Sequence, residues 1–331
     1  MKIAHVLTRF DPDNNPGGVE RVVDELTQRQ KDKHEIEIIC RNQFGNNSTE
    51  ERNGITIKRA ECRDVSGLRT ITAIPTMREL IQDSEAEIYH IHDWSPHINY
   101  RLTGSPGKSV LTNHNKSEGM GGFLQRQLVS EADKTTFVSQ WLKDEIGESD
   151  RGIVIPNGVN SDQFTVSSSA ENYILFVGTL EPRKGIKEIC EASQALGFEL
   201  KIVGDGDLKE IIEDEYDYEI LTNISDEELG ELYKKCKCLA VPSRREGFGL
   251  VWLEALVSGR PILATKTGVG PQIPDNYGET ISTDYTVQDL KNALQKIYEK
   301  NFNSEEIRSY AEKNFGWDQI VNQYEEVYTS L

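Results

Sequence analysis

Two glutamates, Glu246 and Glu254, lie eight positions apart in a segment whose apolar spacing predicts a helix over 248–258. A helix rises about 1.5 Å per residue, so the two carboxylates would lie about 12 Å apart along it. The residues that open this segment are Gly247, Phe248, Gly249 and Leu250. Backbone N–H groups at a helix start favour an anion. The spacing therefore suits a long ligand with hydroxyl groups at both ends and an anionic middle, such as a nucleotide-diphosphate sugar. Two unrelated surface glutamates are the alternative.

Two adjacent cations, Arg183 and Lys184, follow a predicted strand that ends near Val177. A planar guanidinium can bind a phosphate through two parallel hydrogen bonds, and an ammonium adds a compact positive charge. This half of the chain is strongly acidic, so a local cationic pair indicates an anion site more than it would elsewhere. An ordinary pair of surface cations is the alternative.

Two glycines, Gly17 and Gly18, open a predicted helix after the first strand and its loop. Glycine lets a ligand approach the backbone closely while the N–H groups point at an anion. No Gly-Lys-Ser/Thr follows, which excludes a Walker A loop, and a third glycine is missing, which excludes a dinucleotide fingerprint. A simple turn is the alternative.

Histidines end two predicted strands of the first half: His90 and His92 before Asp93, and then His114. Alternation along a strand places His90 and His92 on one side, but the third ligand with defined spacing that a metal site needs is missing. We interpret His90 as a structural, hydrogen-bonded residue. His114 is the stronger functional candidate.

Two Asp-x-Asp sequences, Asp11–Asp13 and Asp205–Asp207, resemble the metal-binding motif of some nucleotide-sugar enzymes. Each lies in a segment rich in Gly or Pro, where aspartate is favoured for backbone reasons. We interpret both as turns and expect no metal site.

Short apolar runs alternate with amphipathic stretches, which is typical of doubly wound α/β domains. The predicted strands lie near 2–7, 35–39, 55–59, 87–91, 108–112, 135–138, 153–155, 173–177, 199–203, 219–221, 238–241, 261–264 and 279–281. The predicted helices lie near 18–30, 70–82, 122–130, 140–146, 185–195, 206–213, 226–235, 248–258 and 287–299, with a last helical segment over 304–330. A polar, Ser-rich stretch over 160–172 predicts a linker between two domains.

Length and composition fit two soluble domains. The chain has 331 residues and a net charge of −18. Residues 1–160 carry 20 basic and 24 acidic side chains, whereas residues 161–331 carry 17 and 31. Such an acidic second half repels nucleic acid, which excludes that class of partner. Any peripheral membrane contact would have to come from the more balanced first half.

The cysteines and the N-terminus indicate a cytoplasmic protein. Five scattered cysteines fit reduced thiols: Cys40, Cys62, Cys190, Cys236 and Cys238. No apolar stretch of about 18 residues is present, so we expect neither a signal peptide nor a transmembrane helix. Association with the inner face of a membrane is left open.

Several motifs in order resemble the retaining glycosyltransferases of family 4, which have the two-domain GT-B fold and an E-x7-E motif. They lie at 17–21, 88–92, 112–114, 155–159 and 177–185, and at Glu246 with Glu254. The resemblance implies a Rossmann-like acceptor-side domain over 1–160, a Rossmann-like donor domain over 161–305, and a C-terminal helix over 306–331 that crosses back to the first domain. An interdomain cleft would be the active site.

The resemblance also implies residue roles. Arg183 and Lys184 would bind the donor diphosphate, Glu246 the transferred sugar, and Glu254 the ribose. The backbone from Gly247 to Leu250 would contact sugar and phosphates, Gly17 and Gly18 would close on the donor, and His114 would be the active-site histidine. One departure is that Thr179 stands where many members carry an arginine, and Arg183 where they carry a glutamate.

The reaction implied is transfer of a hexose-type sugar, UDP- or GDP-linked, to a hydroxyl of a glycan, a lipid-linked or a small-molecule acceptor, with retention and without a metal or other cofactor. Acceptor contacts would come from the loops 41–54 and 94–107. The alternatives are a nucleotide-sugar epimerase of the same fold and a non-catalytic partner subunit that binds the nucleotide sugar. An oxidoreductase is disfavoured, because neither half carries the full dinucleotide fingerprint.

Overall fold

The computed structural model describes residues 1–13, 16–42, 48–61, 69–147 and 152–331. The described chain forms two compact units: unit 1 comprises Met1–Pro156 with Asp318–Leu331, and unit 2 comprises Asn157–Trp317. Cys62 and part of the predicted acceptor loop 41–54 lie outside the described residues. The four described cysteines are buried free thiols.

Unit 1 contains an eight-stranded sheet in the order β3-β4-β2-β1-β5-β6-β7-β8. The strands are β1 (Lys2–Val6), β2 (Glu35–Arg41), β3 (Thr49–Arg52), β4 (Ile55–Ala60), β5 (Ile88–His92), β6 (Lys108–Asn113), β7 (Lys134–Phe137) and β8 (Ile153–Val154). Neighbours run parallel except β3, which is antiparallel to β4 at the edge. The central strand β5 is buried along its whole length, as expected for a parallel sheet covered on both faces.

Five helices of unit 1 connect these strands. They are α1 (Gly18–Gln30), α2 (Arg69–Gln82), α3 (Trp94–Leu102), α4 (Gly119–Val129) and α5 (Gln140–Ile146). The strand order reverses between β1 and β5, and such a switch point is where open α/β sheets bind ligands, beyond the carboxyl ends of the strands.

Two elements of unit 1 were absent from the sequence-based prediction. The edge strand β3 has the sequence Thr-Glu-Glu-Arg, which lacks apolar alternation, and it forms a strand by antiparallel pairing with β4. Helix α3 occupies most of the predicted acceptor loop 94–107 and carries Pro96 in its first turn, where the missing N–H costs no intrahelical bond.

Unit 2 contains a parallel six-stranded sheet in the order β11-β10-β9-β12-β13-β14. The strands are β9 (Tyr173–Val177), β10 (Glu199–Val203), β11 (Glu219–Leu221), β12 (Cys238–Ala240), β13 (Ile262–Thr265) and β14 (Gly278–Ile281). The helices are α6 (Ile186–Leu196), α7 (Lys209–Glu215), α8 (Asp226–Lys235), α9 (Leu250–Val257), α10 (Val287–Glu299) and α11 (Ser304–Phe315). Here the order reverses between β9 and β12.

The predicted linker 160–172 lies inside unit 2, since the boundary between the units falls at residue 156. Two arginines bind its backbone: Arg308 donates to the carbonyl oxygens of Ser161 and Phe164, and Arg260 donates to those of Ser167 and Ser169. Polar composition alone predicted a linker between two domains, but these long-range hydrogen bonds attach the segment to unit 2.

The predicted C-terminal segment 306–331 is divided between the units. Helix α11 packs on α9 and belongs to unit 2. The final helix α12 (Trp317–Thr329) belongs to unit 1 from Asp318 onward. Its Tyr328 and Tyr324 are buried in that unit, where they contact the ring of His90.

Candidate active site

The loops that follow β9 and β12 carry the candidate anion site of unit 2. They lie at the switch point of the sheet, where two crossover connections leave in opposite directions and open a crevice. The first loop brings Arg183 and Lys184, and the second brings Glu246. A backbone hydrogen bond of 2.8 Å from Arg244 N to Arg183 O joins the two loops.

Lys184 and Glu246 form an ion pair at this point. Lys184 Nζ lies 2.5 Å from Glu246 Oε2, and the side chains are only 12% and 19% exposed. Ser243 Oγ also donates to Glu246 Oε2, over 3.2 Å. A partly buried ammonium with three donors can bind a phosphate group and the carboxylate together. The structure thus brings together two of the site residues that the sequence predicted.

Arg183 is placed differently from its neighbour. Its guanidinium pairs with Glu181 at 2.7 Å and donates to the carbonyl oxygen of Arg245 at 3.3 Å. Its side chain is 44% exposed, so its positive charge is screened by water more than that of Lys184. The two predicted cations are therefore not equivalent, although their sequence positions are adjacent.

Helix α9 begins at Leu250, later than predicted, because Gly249 adopts a left-handed conformation with φ of +98°. A Cβ atom at Gly249 would lie 2.2 Å from Trp252 Cε3, so this position requires glycine. Glu246 and Gly247 consequently belong to the preceding loop. The predicted 12 Å helical separation is wrong: only 250–254 is helical, a rise of about 6 Å.

The start of α9 presents backbone rather than side chains. Phe248 is buried, and its ring packs against Phe315 in an edge-to-face arrangement. The first N–H groups of a helix have no intrahelical acceptor and carry partial positive charge. At Phe248, Gly249 and Leu250, the backbone is thus the part suited to an anionic ligand.

Glu254 is held from a neighbouring helix. Tyr233 of α8 donates its hydroxyl to Glu254 Oε2 over 2.7 Å. Tyr233 and Ser243 both orient a predicted carboxylate, and the sequence analysis missed both. Ser243 stands three residues before Glu246, a spacing that could have been noticed, whereas Tyr233 lies 21 positions before Glu254 with no local signal.

In unit 1, Gly17 and Gly18 lie at the start of α1, where the backbone already binds the carboxylate of Glu20. Glu20 is buried, and its Oε2 accepts from Gly17 N at 2.8 Å and pairs with Arg9 at 2.7 Å. A Cβ atom on Gly17 would lie 3.3 Å from that carboxylate, a tight contact that a small shift of the Glu20 side chain could relieve. The positive potential predicted at this helix start is therefore partly offset by Glu20.

His114 follows β6 and is buried, and its backbone N–H donates to Asp93 Oδ1 over 2.9 Å. Asp93 lies between β5 and α3 with a φ of +71°, a strained conformation for a residue other than glycine. Burial lowers the pKa of His114 below its ordinary value, while Asp93 opposes this shift. His114 Nε2 lies 3.0 Å from His92 Nδ1, so the predicted site residue is one end of a group of buried histidines.

The aspartates of the Asp-x-Asp sequences make contacts typical of turns and surface pairs. Asp205 Oδ1 accepts from the N–H of the next residue, Gly206, over 2.9 Å, and both Asp205 and Asp207 are exposed. Asp13 pairs with Arg52 at 2.9 Å. These contacts agree with our interpretation of both sequences as turns.

Two family models together match residues 16–314 of the chain. Residues 16–163 match glycosyltransferase family 4, and residues 158–314 match glycosyl transferases group 1. The chain belongs to the group 1/family 4 glycosyltransferases. The sequence-based predictions of the family and of the GT-B fold, with its two Rossmann-like parallel-sheet domains, are thereby confirmed.

One relative of this glycosyltransferase matches over nearly its full length, and another matches over about half of its length. It is 29% identical to an uncharacterised glycosyltransferase of Methanocaldococcus jannaschii, covering 95% of each chain. An Escherichia coli O-antigen chain mannosyltransferase C is 25% identical over 55% of each chain.

Solved structures share the fold. A sucrose-phosphate synthase from Thermosynechococcus elongatus has a TM-score of 0.86 at 18% identity, covering 99% of this chain and 98% of its own. Anabaena HepE in complex with UDP and glucose has a TM-score of 0.82 at 17% identity, covering 100% of both chains. Within the described ranges, every helix of this glycosyltransferase is too short or too polar to span a bilayer.

Proposed function

We propose that this glycosyltransferase moves a hexose-type sugar from a UDP- or GDP-linked donor to a hydroxyl group of a glycan, lipid-linked or small-molecule acceptor, with retention at the anomeric carbon. The observation that carries the proposal is the Lys184–Glu246 pair at the switch point of unit 2, beside the start of α9. It combines a cation for a diphosphate with a carboxylate for sugar hydroxyls. The UDP and glucose in the HepE complex and the mannosyltransferase relative support this donor class.

Different residues bind different parts of the donor. Lys184 and the first N–H groups of α9 bind the diphosphate, and Arg183 adds a more exposed positive charge. Glu246 accepts hydrogen bonds from the transferred sugar, and Glu254, oriented by Tyr233, accepts them from the ribose. A donor-binding role for Gly17 and Gly18 of unit 1 stays a prediction, as does a sugar contact for His114.

The chemical step breaks the bond between the anomeric carbon and the phosphate oxygen while the acceptor oxygen bonds to the same face of that carbon. The sugar becomes oxocarbenium-like and negative charge grows on the departing phosphate. Fixed donors aimed at a developing charge often give the largest catalytic contribution, and we assign that role to Lys184. The departing phosphate oxygen takes the acceptor proton, which balances the step without a protein nucleophile.

Metal independence is part of the proposal. Lys184, Arg183 and the start of α9 supply positive charge to a diphosphate, which is the charge that a divalent cation would otherwise supply. Equal initial rates with EDTA and with added Mg²⁺ or Mn²⁺ support this, whereas activity that EDTA abolishes and a metal restores contradicts it.

A thermal-shift panel of UDP-, GDP-, ADP- and dTDP-sugars tests donor binding. A donor at 100 times its dissociation constant stabilises the folded state by about 2.7 kcal/mol, enough to raise the unfolding midpoint measurably. NMR of the reaction with the bound donor then reads the anomeric configuration of the product. An epimerised donor without a new glycoside identifies the alternative activity, an epimerase, and no response to any nucleotide sugar contradicts the proposal.

A further inference from the structure

Four histidines of unit 1 lie side by side because their strands are neighbours. Strands β1 and β5 pair in parallel with His5 opposite His90, and β5 pairs with β6, which His114 follows. Side chains two apart on one strand share a face, so His90, His92 and His5 point the same way. All four rings are buried, with exposed fractions of 4% or less.

A continuous series of hydrogen bonds links Gln30 of α1 to His114. Gln30 Oε1 lies 3.0 Å from His5 Nε2, and His5 Nδ1 lies 3.1 Å from His92 Nε2. His92 Nδ1 in turn lies 3.0 Å from His114 Nε2. Every step joins two ring nitrogens, or a ring nitrogen and the amide, so the position of one proton determines the next.

Burial favours the neutral form of all four rings: it lowers the pKa of His5 to about 4 and the pKa values of His90, His92 and His114 below their ordinary value. A neutral imidazole has one donor and one acceptor nitrogen. The carbonyl oxygen of Gln30 can only accept, so His5 carries its proton on Nε2. His5 Nδ1 then accepts from His92 Nε2, and His92 Nδ1 accepts from His114 Nε2. The proton of His114 is accordingly on Nε2, and its Nδ1 is unprotonated.

The other end of the Gln30 amide is also engaged. Gln30 Nε2 donates to the hydroxyl of Tyr328 over 3.2 Å, and that hydroxyl lies 2.7 Å from His90 Nδ1. His90 Nε2 lies 2.7 Å from Thr112 Oγ1. Both branches agree with the same amide orientation, in which the oxygen faces His5 and the nitrogen faces Tyr328.

A metal ion is the competing explanation of clustered histidines. The ring nitrogens of His5, His90 and His92 include a set within 4.8 Å of one another. Both nitrogens of each of these three rings, however, already take part in a hydrogen bond. A bound cation would have to break several of these bonds inside the core, so the geometry favours the hydrogen-bonded series.

We propose that Gln30, His5 and His92 are positioning residues that hold His114 as the tautomer protonated on Nε2, with Nδ1 as a hydrogen-bond acceptor. No residue in the described part of the chain hydrogen-bonds to His114 Nδ1. The group that meets this nitrogen must therefore be a donor, such as a sugar hydroxyl, and cannot be an unprotonated phosphate oxygen. The role of Nδ1 toward a sugar rests on the proposed function, whereas the tautomer does not.

Long-range ¹H–¹⁵N correlation spectra of the full protein with ¹⁵N-labelled histidine test the tautomer directly. The chain has six histidines, and His114→Gln identifies the signal of His114. We expect the pattern of a neutral ring protonated on Nε2. A ring protonated on Nδ1, which the opposite orientation of the Gln30 amide would produce, overturns the proposal, as does a zinc-dependent shift of the His5 and His92 signals.

Two substitutions of His92 test the positioning role. His92→Asn keeps an acceptor oxygen near the position of Nδ1, whereas His92→Leu removes it. We expect kcat/KM to fall about 10-fold in His92→Leu, the effect of one hydrogen bond, with most of it restored in His92→Asn. Thr27→Val is the control, because Thr27 is equally buried on α1 but outside the series.

The two proposals fail in different ways. Equal loss in both His92 variants, with the His114 spectrum unchanged, contradicts the positioning role. Absence of any sugar transfer in the wild-type protein, together with the expected tautomer, contradicts the proposed function and leaves the tautomer established.

Discussion

Replacing Lys184 with alanine removes the cation that pairs with Glu246, the carboxylate that we propose binds the sugar. Lys184 Nζ is 2.5 Å from Glu246 Oε2, and its side chain is 12% exposed. In the proposed reaction this ammonium faces the phosphate on which negative charge grows. The substitution therefore removes transition-state stabilisation and leaves the sheet and α9 in place.

The size of the effect follows from the charge and its partial burial. Two unit charges about 4 Å apart interact by roughly 4 kcal/mol at an effective dielectric constant near 20. Part of that attraction is already present with the bound donor, and only the increase in the transition state contributes to kcat. Loss of one donor at a developing oxyanion typically costs about 2.7–4 kcal/mol. We expect kcat to fall roughly 10²- to 10³-fold.

The assay is the initial rate of nucleoside diphosphate release with saturating donor and acceptor, for wild type, Lys184→Ala and Lys187→Ala. Lys187 is the matched control: it has the same charge three residues later and pairs with Glu215 on the surface. We expect Lys187→Ala to keep the wild-type kcat. Because the two side chains are only 12% and 19% exposed, loss of Lys184 should also lower the unfolding midpoint, so the rates are compared at a temperature where Lys184→Ala is fully folded.

Two results would refute the reasoning. A kcat of Lys184→Ala within a few-fold of wild type shows that this ammonium does not face the developing charge. An equal loss in Lys187→Ala shows that overall charge, and not the site, accounts for the effect.

Three further predictions follow from contacts within single units. Tyr233→Phe removes a hydrogen bond to Glu254 that is worth about 1 kcal/mol. In steady-state kinetics, KM for the donor should rise about five-fold while kcat stays unchanged. An unchanged KM contradicts the proposed role of Glu254 in binding the ribose. Gly185→Ala should lower the free energy of unfolding, measured by urea denaturation, by about 1–3 kcal/mol. The reason is that Gly185 has a φ of +70° and an added Cβ atom would lie 2.2 Å from the Tyr285 hydroxyl. A variant as stable as wild type contradicts this explanation. Burial lowers the pKa of His5 to about 4, so the unfolded chain binds more protons than the folded chain between pH 6.5 and 4. The free energy of unfolding should therefore decrease as pH falls, by about 3 kcal/mol at pH 4 from His5 alone. Urea unfolding at several pH values should show a weaker dependence of this free energy on pH in His5→Gln than in wild type, and an equal dependence contradicts the assignment.

Much of the fold was predictable because the central strands are short, buried segments rich in apolar residues. Strands β1, β5 and β9 are almost entirely buried, so their sequences show the pattern of a parallel sheet directly. Strand β3 and helix α3 lack such a pattern and depend on pairing and packing with distant elements. The prediction of a linker over 160–172 missed the attachment of this segment to unit 2 for the same reason. Arg260 and Arg308, which bind its backbone, lie far along the chain.

Part of the candidate site could also be predicted from the sequence. Residue types and spacing identified Lys184, Glu246 and Glu254 as site candidates, but the orientation of a side chain has no local signature. Arg183 and Lys184 are adjacent in sequence, yet only Lys184 contacts Glu246. Tyr233 contacts Glu254 only because α8 and α9 are neighbours. The histidine series likewise depends on strand order, which places β1 beside β5.

The central claim is that unit 2 binds a nucleotide diphosphate through Lys184, the start of α9 and Glu254. A crystal structure with the nucleoside diphosphate selected by the thermal-shift panel tests it most directly. We predict the diphosphate within hydrogen-bonding distance of Lys184 Nζ and the first N–H groups of α9, with the ribose hydroxyls on Glu254. A nucleotide bound elsewhere in unit 2, or bound here with Lys184 still directed only at Glu246, would contradict the account.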